Sequence, residues 1–229
     1  MPDGHIKANP NPKKGKFTIL SHPEPKIEYI SGTDPIPFSS DELVGSHLSE
    51  YCIVIKDRTH QTYVAYYAER SLNADAVIDS CILLQDYYFA AKTNLEMNHG
   101  GVAREKYKEK NRLNLLAPRA TVLGAYSVKK SSYGWFKDAR STETANELFI
   151  KYLYKYTNTI WFRRMITELE VFLSENTDLL DAVLSCEMYD ANLIRLNKFK
   201  TALKKTREIP QIVRDAQGKT KMVMKKLVV

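Results

Sequence analysis

The chain has 229 residues, of which 44% are hydrophobic, 10% aromatic and 27% charged, with a formal net charge of +7. That is enough apolar material for one sizeable core, and nine glycines and nine prolines exclude a collagen-like or low-complexity chain. No apolar run approaches the roughly 18 residues needed to span a bilayer. The polar, proline-bearing start MPDGHIKANPNPKKGKF lacks the apolar stretch of a signal peptide, so a cytoplasmic chain with no membrane partner is expected.

Cys52, Cys81 and Cys186 are an odd number without paired spacing, which excludes a disulfide framework or a zinc site. Each lies in an apolar stretch and reads as a small buried hydrophobe. His5, His22, His47, His60 and His99 are scattered, and none pairs with another at metal-ligand spacing. Arg195 to Val229 holds 11 of the 34 basic residues and 2 of the 27 acidic ones, leaving 23 basic and 25 acidic in the body. The basic surplus therefore belongs to the C-terminal segment, as either a polyanion-holding or a solvated tail.

Residues 1–26 read as a lead-in linker: Pro10, Pro12, Pro23 and Pro25 disfavour a helix, and Lys13, Lys14 and Lys16 keep it solvated. KIEYISGTD is a strand ending in a turn, and EYCIVIKD and TYVAYYAER are strands joined by a short polar hairpin. The period then changes. Val77, Cys81, Leu84 and Tyr88 share one face of a helix through ADAVIDSCILLQDYYFA, capped by Asn73 or Asp75. AKTNLEMN is a strand, VAREKYKEKNRL an exposed helix and TVLGAYSV a further strand. After the loop SSYGWFKDARST, Thr142 and Glu143 open a helix through TANELFIKYLYKY. TIWFRRMITELEVFL starts as a short strand and becomes a helix, and TDLLDAVLSCEMYDANLIRL is amphipathic, with Leu180, Val183, Leu184 and Met188 as its apolar stripe.

Three consecutive strands suit an antiparallel meander, and the later strand–helix alternation suits parallel additions to the same sheet. The class is α/β, a mixed sheet flanked by helices in the ribonuclease H-like arrangement. The expected domains are a lead-in at 1–26, the α/β domain at 27–194 and a basic segment at 195–229.

Three carboxylates stand out by context. Asp34 follows the first strand in ISGTDP, Glu96 ends a strand in LEMNHGG, and Asp178 opens a helix in ENTDLLDAV. Phosphodiester hydrolysis needs an activated water and stabilised leaving charge, and two Mg²⁺ or Mn²⁺ ions about 3.5–4 Å apart supply both. Hard cations take oxygen ligands, so carboxylates at the ends of adjacent strands suit such a site. The alternative is a turn residue at Asp34 and a helix-terminus charge at Asp178.

GTDP after a strand, the E-x-N-x-x-G element of Glu96, Asn98 and Gly101, and the helix start Asp178-Leu179-x-x-Ala182 together resemble the nuclease domain of phage large terminase subunits. YGWFKDARSTETANELFIKYL is similar to that family's Gly-then-Lys/Thr-rich loop and helix, and IWFRRMITELEVF to its strand leading into an E-L-x-x-F helix. The resemblance covers roughly residues 27 to 190. It implies a ribonuclease H-like endodeoxyribonuclease in which Asp34, Glu96 and Asp178 bind two divalent ions and cut concatemeric viral DNA during packaging. It also implies host-cytoplasmic location and, as partners, double-stranded DNA, a terminase ATPase domain, the small terminase subunit and the portal. The family often carries two adjacent acidic residues at the last motif. Here Thr177 precedes Asp178, and Asp181, one turn later, is the candidate replacement. Asp41 and Glu42 are candidates for an outer carboxylate. No G-x-x-x-x-G-K-[ST] is present, so no ATP hydrolysis is expected of this chain.

Lys129, Lys130, Lys137 and Arg140 surround Tyr133 and Trp135, a basic–aromatic pattern that fits either a DNA-backbone loop or a solvated loop. Lys204, Lys205, Arg207, Lys225 and Lys226 suit DNA phosphates or another packaging protein. Two other readings stay open. One is a junction resolvase or transposase type of ribonuclease H-like enzyme, and the other a non-catalytic docking module for DNA or portal.

Overall fold

The computed structural model describes residues 16–38, 49–119, 133–160, 162–172, 177–204, 207–214 and 220–227, with side chains up to residue 197. The chain divides into two compact units, Met1–Ala191 and Asn192–Val229.

The first unit is built on a five-stranded sheet. Its strands are β1 (Phe17–Ile19), β2 (Tyr29–Asp34), β3 (Tyr51–Asp57), β4 (Thr62–Glu69) and β5 (Lys92–Leu95), in the order β1-β4-β3-β2-β5. The first four pair antiparallel, and β5 pairs parallel with β2. The mixed sheet expected from the element order is therefore present. β1 lies inside the segment read as a lead-in linker. Phe17 and Ile19, in the stretch GKFTIL that reads as a short extended piece, pack against the core on the β4 edge.

β3 lies at the centre and is buried along its whole length. Helix α1 (Ala74–Tyr87) covers one face of the sheet. Asn73 caps it by accepting from the Ala76 N–H at 3.1 Å. Its Val77, Cys81 and Leu84, with Tyr88 just beyond, are fully buried against Ile53, Ile55, Tyr67 and Leu95. Each such side chain contributes roughly 1.5–3 kcal/mol of transfer free energy. Helix α2 (Gly101–Glu109) packs on α1 through Ala103 and Tyr107. Tyr107 donates to the Gln85 carbonyl oxygen at 2.6 Å inside this layer.

The opposite face carries α3 (Ala139–Tyr156), α4 (Arg163–Val171) and the first half of α5 (Asp178–Lys204). α3 begins at Ala139 rather than at Thr142. Asp138 accepts from the Ser141 N–H at 2.7 Å while the Ser141 hydroxyl accepts from the Asp138 N–H at 2.9 Å, a reciprocal cap that starts the helix earlier. The strand expected at the start of TIWF is absent among the described residues. Thr157–Thr159 is a 3-10 turn and α4 follows at Arg163. The strand expected in TVLGAYSV lies outside the described residues.

α5 differs from a simple amphipathic helix. From Thr177 to Asp190 every residue is buried except Asp181. The helix is enclosed on all sides and opens only where a carboxylate points out. The three cysteines are free and buried, as their apolar settings suggest.

In the second unit, α5 continues to Lys204, and β6 (Arg207–Arg214) pairs antiparallel with β7 (Thr220–Leu227). The segment read as a basic tail is thus a helix end followed by a hairpin. REIPQIVR and TKMVMKKL each hold a short apolar run (Ile212-Val213 and Met222-Val223-Met224) of strand-forming character within a basic segment.

Candidate metal centre

Asp34 ends β2, and Glu96 follows β5 directly. Thr33 and Leu95 are partners in the parallel register, and the Glu96 N–H donates to the Thr33 carbonyl at 3.1 Å. The two carboxylates therefore stand side by side at the carboxyl ends of parallel strands, where open α/β sheets bind ligands.

α5 delivers Asp178 and Asp181, and several contacts fix its position. A Cβ on Gly32 would stand 2.1 Å from the Ala182 carbonyl oxygen and 2.3 Å from the Cys186 nitrogen, so the helix backbone rests directly on β2. Asn94 Nδ2 donates to the Ser185 carbonyl at 2.9 Å, and the Ser185 hydroxyl donates to the Asn94 carbonyl at 2.6 Å. At the helix start, the Leu180 N–H donates to the Glu168 carboxylate of α4 at 3.0 Å, satisfying a donor that a helix terminus leaves open. Asp178 accepts from the Glu50 N–H at 2.8 Å.

Two helical turns beyond Asp181, a buried ionic network pins α5. Lys56 Nζ, fully enclosed on β3, donates to Glu187 at 2.6 Å and to Asp190 at 2.9 Å. Arg58 donates to the other Asp190 oxygen at 2.8 Å, and the Tyr63 hydroxyl donates to Glu187. Burial and Lys56's two carboxylates act oppositely on its charge, and the carboxylates prevail, so its pKa lies above the ordinary value.

The acid cluster carries the opposite signature. Burial, followed by the charges of Asp181 and Glu96, holds the Asp34 carboxyl well above the usual range, with Lys137 opposing. Burial likewise raises Glu96, and Lys137 partly offsets it. Carboxylates crowded in this way cannot all ionise without a counter-charge.

Lys137 supplies one. Its Nζ lies 2.7 Å from Asp181 and 3.7 Å from Glu96. Its backbone is clamped by Asn98, whose Nδ2 donates to the Lys137 carbonyl at 2.8 Å and whose Oδ1 accepts from the Lys137 N–H at 2.9 Å. The preceding segment runs beside β5: the Trp135 N–H donates to the Leu95 carbonyl at 2.8 Å, and Gly134, at φ +71°, approaches the same carbonyl closely. Among the described residues no three His, Cys, Asp or Glu side chains are arranged to hold a metal ion as they stand. Asp181 and Glu96 turn to the ammonium instead.

The structure thus places Asp34, Glu96 and Asp181 within electrostatic reach of one another, with Asp178 a smaller influence on Asp34, and it sets Lys137, read as part of either a DNA-backbone loop or a solvated loop, against Asp181 and near Glu96. Arg140 is exposed on the first turn of α3. Lys129, Lys130, Lys205, Asp41 and Glu42 lie outside the described residues. Lys204 ends α5, and Arg207 begins β6. In the E-x-N-x-x-G element, the required glycine is Gly100, where a Cβ would stand 2.2 Å from the Glu96 carbonyl oxygen, whereas Gly101 has open space. Sequence reasoning missed Gly32 and the Lys56 network. A lysine inside an apolar strand, with two acids three residues apart on an apolar helix, was the available signal.

The sheet order, the parallel β2–β5 pair with its paired acids and the crossing α5 can be set against known structures. The large terminase nuclease of thermophilic phage G20c with bound magnesium matches with a TM-score of 0.53 at 11% identity, over 78% of this chain and 88% of that one. The same nuclease with bound cobalt matches with a TM-score of 0.51 at 11% identity, over the same shares, 78% and 88%. The fold is that of a phage large-terminase nuclease domain. No protein-family model matches the chain, and no curated protein sequence does. In the terminase-nuclease fold seen here, Asp34 and Glu96 occupy the two parallel strand ends, and α5 adds Asp178 and Asp181 beside them. No helix among the described residues is long and apolar enough to cross a membrane.

Proposed function

We propose that the chain is a metal-dependent endonuclease that cuts double-stranded viral DNA during genome packaging in the host cytoplasm. The observation that carries this reading is the pair Asp34 and Glu96 at the ends of adjacent parallel strands with α5 crossing beside them, Asp34's carboxyl being raised by burial and then by Asp181 and Glu96. An all-oxygen donor set of this charge suits two hard divalent ions, Mg²⁺ or Mn²⁺, rather than zinc. The likeness to a nuclease fold solved with magnesium and with cobalt supports the use of a divalent ion.

In this reading Asp34, Glu96 and Asp178 hold the ions, with Asp181 as a fourth ligand in place of the missing adjacent acid. Such ions, when bound, would supply activation of a water and stabilisation of the leaving oxygen. Asn94 and Ser185 keep α5 in register with β5, so that acids from three elements remain in place when substrate arrives. Glu168 and Glu50 orient the start of α5 and the Asp178 carboxylate. Arg140, with Lys129, Lys130, Lys204, Lys205 and Arg207, would hold phosphates with little sequence preference. The proposed assembly partners are a terminase ATPase domain, the small subunit and the portal.

The test is nicking and linearisation of supercoiled plasmid in Mn²⁺, Mg²⁺ or EDTA. Activity is expected in Mn²⁺ or Mg²⁺, and its loss in Asp34→Ala and Glu96→Ala. Cleavage that persists in EDTA, or in both variants, overturns the metal mechanism. Preference for four-way junctions over duplex would indicate a resolvase, and absence of cleavage with tight portal binding a docking module.

A further inference from the structure

Among the described residues Lys137 is a cation ion-paired with two acids of the cluster, and several contacts keep it there. The Asn98 carboxamide holds its N–H and its carbonyl at once. The bridge between Glu96 and Trp135 fixes the strand-like segment two residues earlier. The lysine main chain therefore cannot drift, and only its four-carbon stem can move. The ammonium lies against Asp181 and near Glu96, with its side chain about a quarter exposed, at 27%.

That placement conflicts with metal. Mg²⁺ binds carboxylate oxygens at about 2.0–2.1 Å and demands near-octahedral geometry. An ammonium 2.7 Å from Asp181 Oδ1 occupies one of the directions a cation needs, and its charge repels the incoming ion. One group or the other must hold these oxygens.

Resting on the nuclease reading above, we propose that Lys137 is a tethered counter-ion that competes with divalent cations for Asp181 and Glu96. It keeps the metal-free cluster from flying apart, and it sets the metal concentration at which the site loads. Once displaced, its ammonium stays anchored at the rim of the site, where it meets the substrate's phosphate backbone. A residue that merely packed there would not trade one partner for another.

The test uses the full chain without DNA. Calorimetric titration of MnCl₂ into Lys137→Met is expected to give tighter binding than wild type, by about tenfold, equivalent to about 1.4 kcal/mol. Lys137→Arg, which keeps the charge, should bind Mn²⁺ as wild type does. In EDTA the Met variant should melt below wild type, and saturating Mn²⁺ should close that gap. With plasmid it should cut more slowly despite loading more readily. Unchanged or weaker Mn²⁺ binding in Lys137→Met overturns the proposal. Should that variant fail to fold, the wild-type protein labelled at lysine Cε decides. The Lys137 resonance, assigned by its absence in Lys137→Arg, should shift on Mg²⁺ addition, and a resonance that stays put overturns the proposal. If Asp34→Asn abolishes Mn²⁺ binding while Lys137→Met leaves it unchanged, only the counter-ion role fails. If Asp34→Asn leaves Mn²⁺ binding intact, the metal-site reading itself fails.

Discussion

Gly32 on β2 faces the Ala182 carbonyl of α5 so closely that a Cβ there would stand 2.1 Å away. This contact sets the height of α5 above the sheet, and with it the distance of Asp178 and Asp181 from Asp34. A methyl group cannot be admitted without lifting the helix. Gly32→Ala should therefore cost about 1–3 kcal/mol or more through overpacking, read as a lower urea midpoint. It should also weaken Mn²⁺ binding, because two of the four carboxylates would move. A variant with wild-type midpoint and wild-type metal binding would show that the helix has slack.

Removing a carboxylate of the proposed metal site should make the metal-free protein more stable. Asp34 is held well above its ordinary pKa by burial and then by Asp181 and Glu96. A carboxyl raised in the folded state costs stability at any pH above its unfolded value. Asp34→Asn abolishes that cost at pH 7, so melting in EDTA should rise by a few degrees, about 2–4 °C per kcal/mol for a chain of this size. The same variant should lose the stabilisation that Mn²⁺ gives wild type. A drop in the EDTA melting temperature would contradict the repulsion argument.

The ionic network at the other end of the enclosed helix should show the opposite behaviour. Lys56→Met leaves Glu187 and Asp190 buried without their ammonium. Breaking one partner of such a buried set costs about 3–5 kcal/mol. Denaturant unfolding should reveal a loss of that order, whereas Lys151→Met, removing an exposed pair with Glu147, should change stability by less than about 1 kcal/mol.

The network also predicts a pH dependence. Burial opposes the Asp190 charge, but Lys56 and Arg58 overcome it, so its pKa lies below the ordinary carboxylate value. A group depressed on folding contributes stability that is fully present above its unfolded value, near 3.9, and is lost as pH falls through the folded one. The stability gap between wild type and Asp190→Asn should accordingly be constant from about pH 7 to 5 and shrink below about pH 4. Unfolding free energies at a series of pH values measure it. A gap that holds constant down to pH 2 would remove Asp190 from the acid response.

The sequence by itself determined the alternation of strands and helices, the buried stripe of α1 and the three short motifs bearing Asp34, Glu96 and Asp178. These are local properties: period, capping residues and turn chemistry act within a few residues. The pairing of the lead-in and of the C-terminal segment was not legible for the same reason. Phe17 and Ile19 become a strand because β4 offers an open edge, and the basic charge of the C-terminal segment outweighs its short apolar runs until the two strands pair. Only tertiary structure decided that acids 62 and 82 residues apart meet, that Gly32 must be glycine, and that Lys137 faces carboxylates rather than solvent. Those facts depend on the parallel register of β2 with β5 and on the depth at which α5 crosses them. Long-range packing sets both, and no local pattern encodes either.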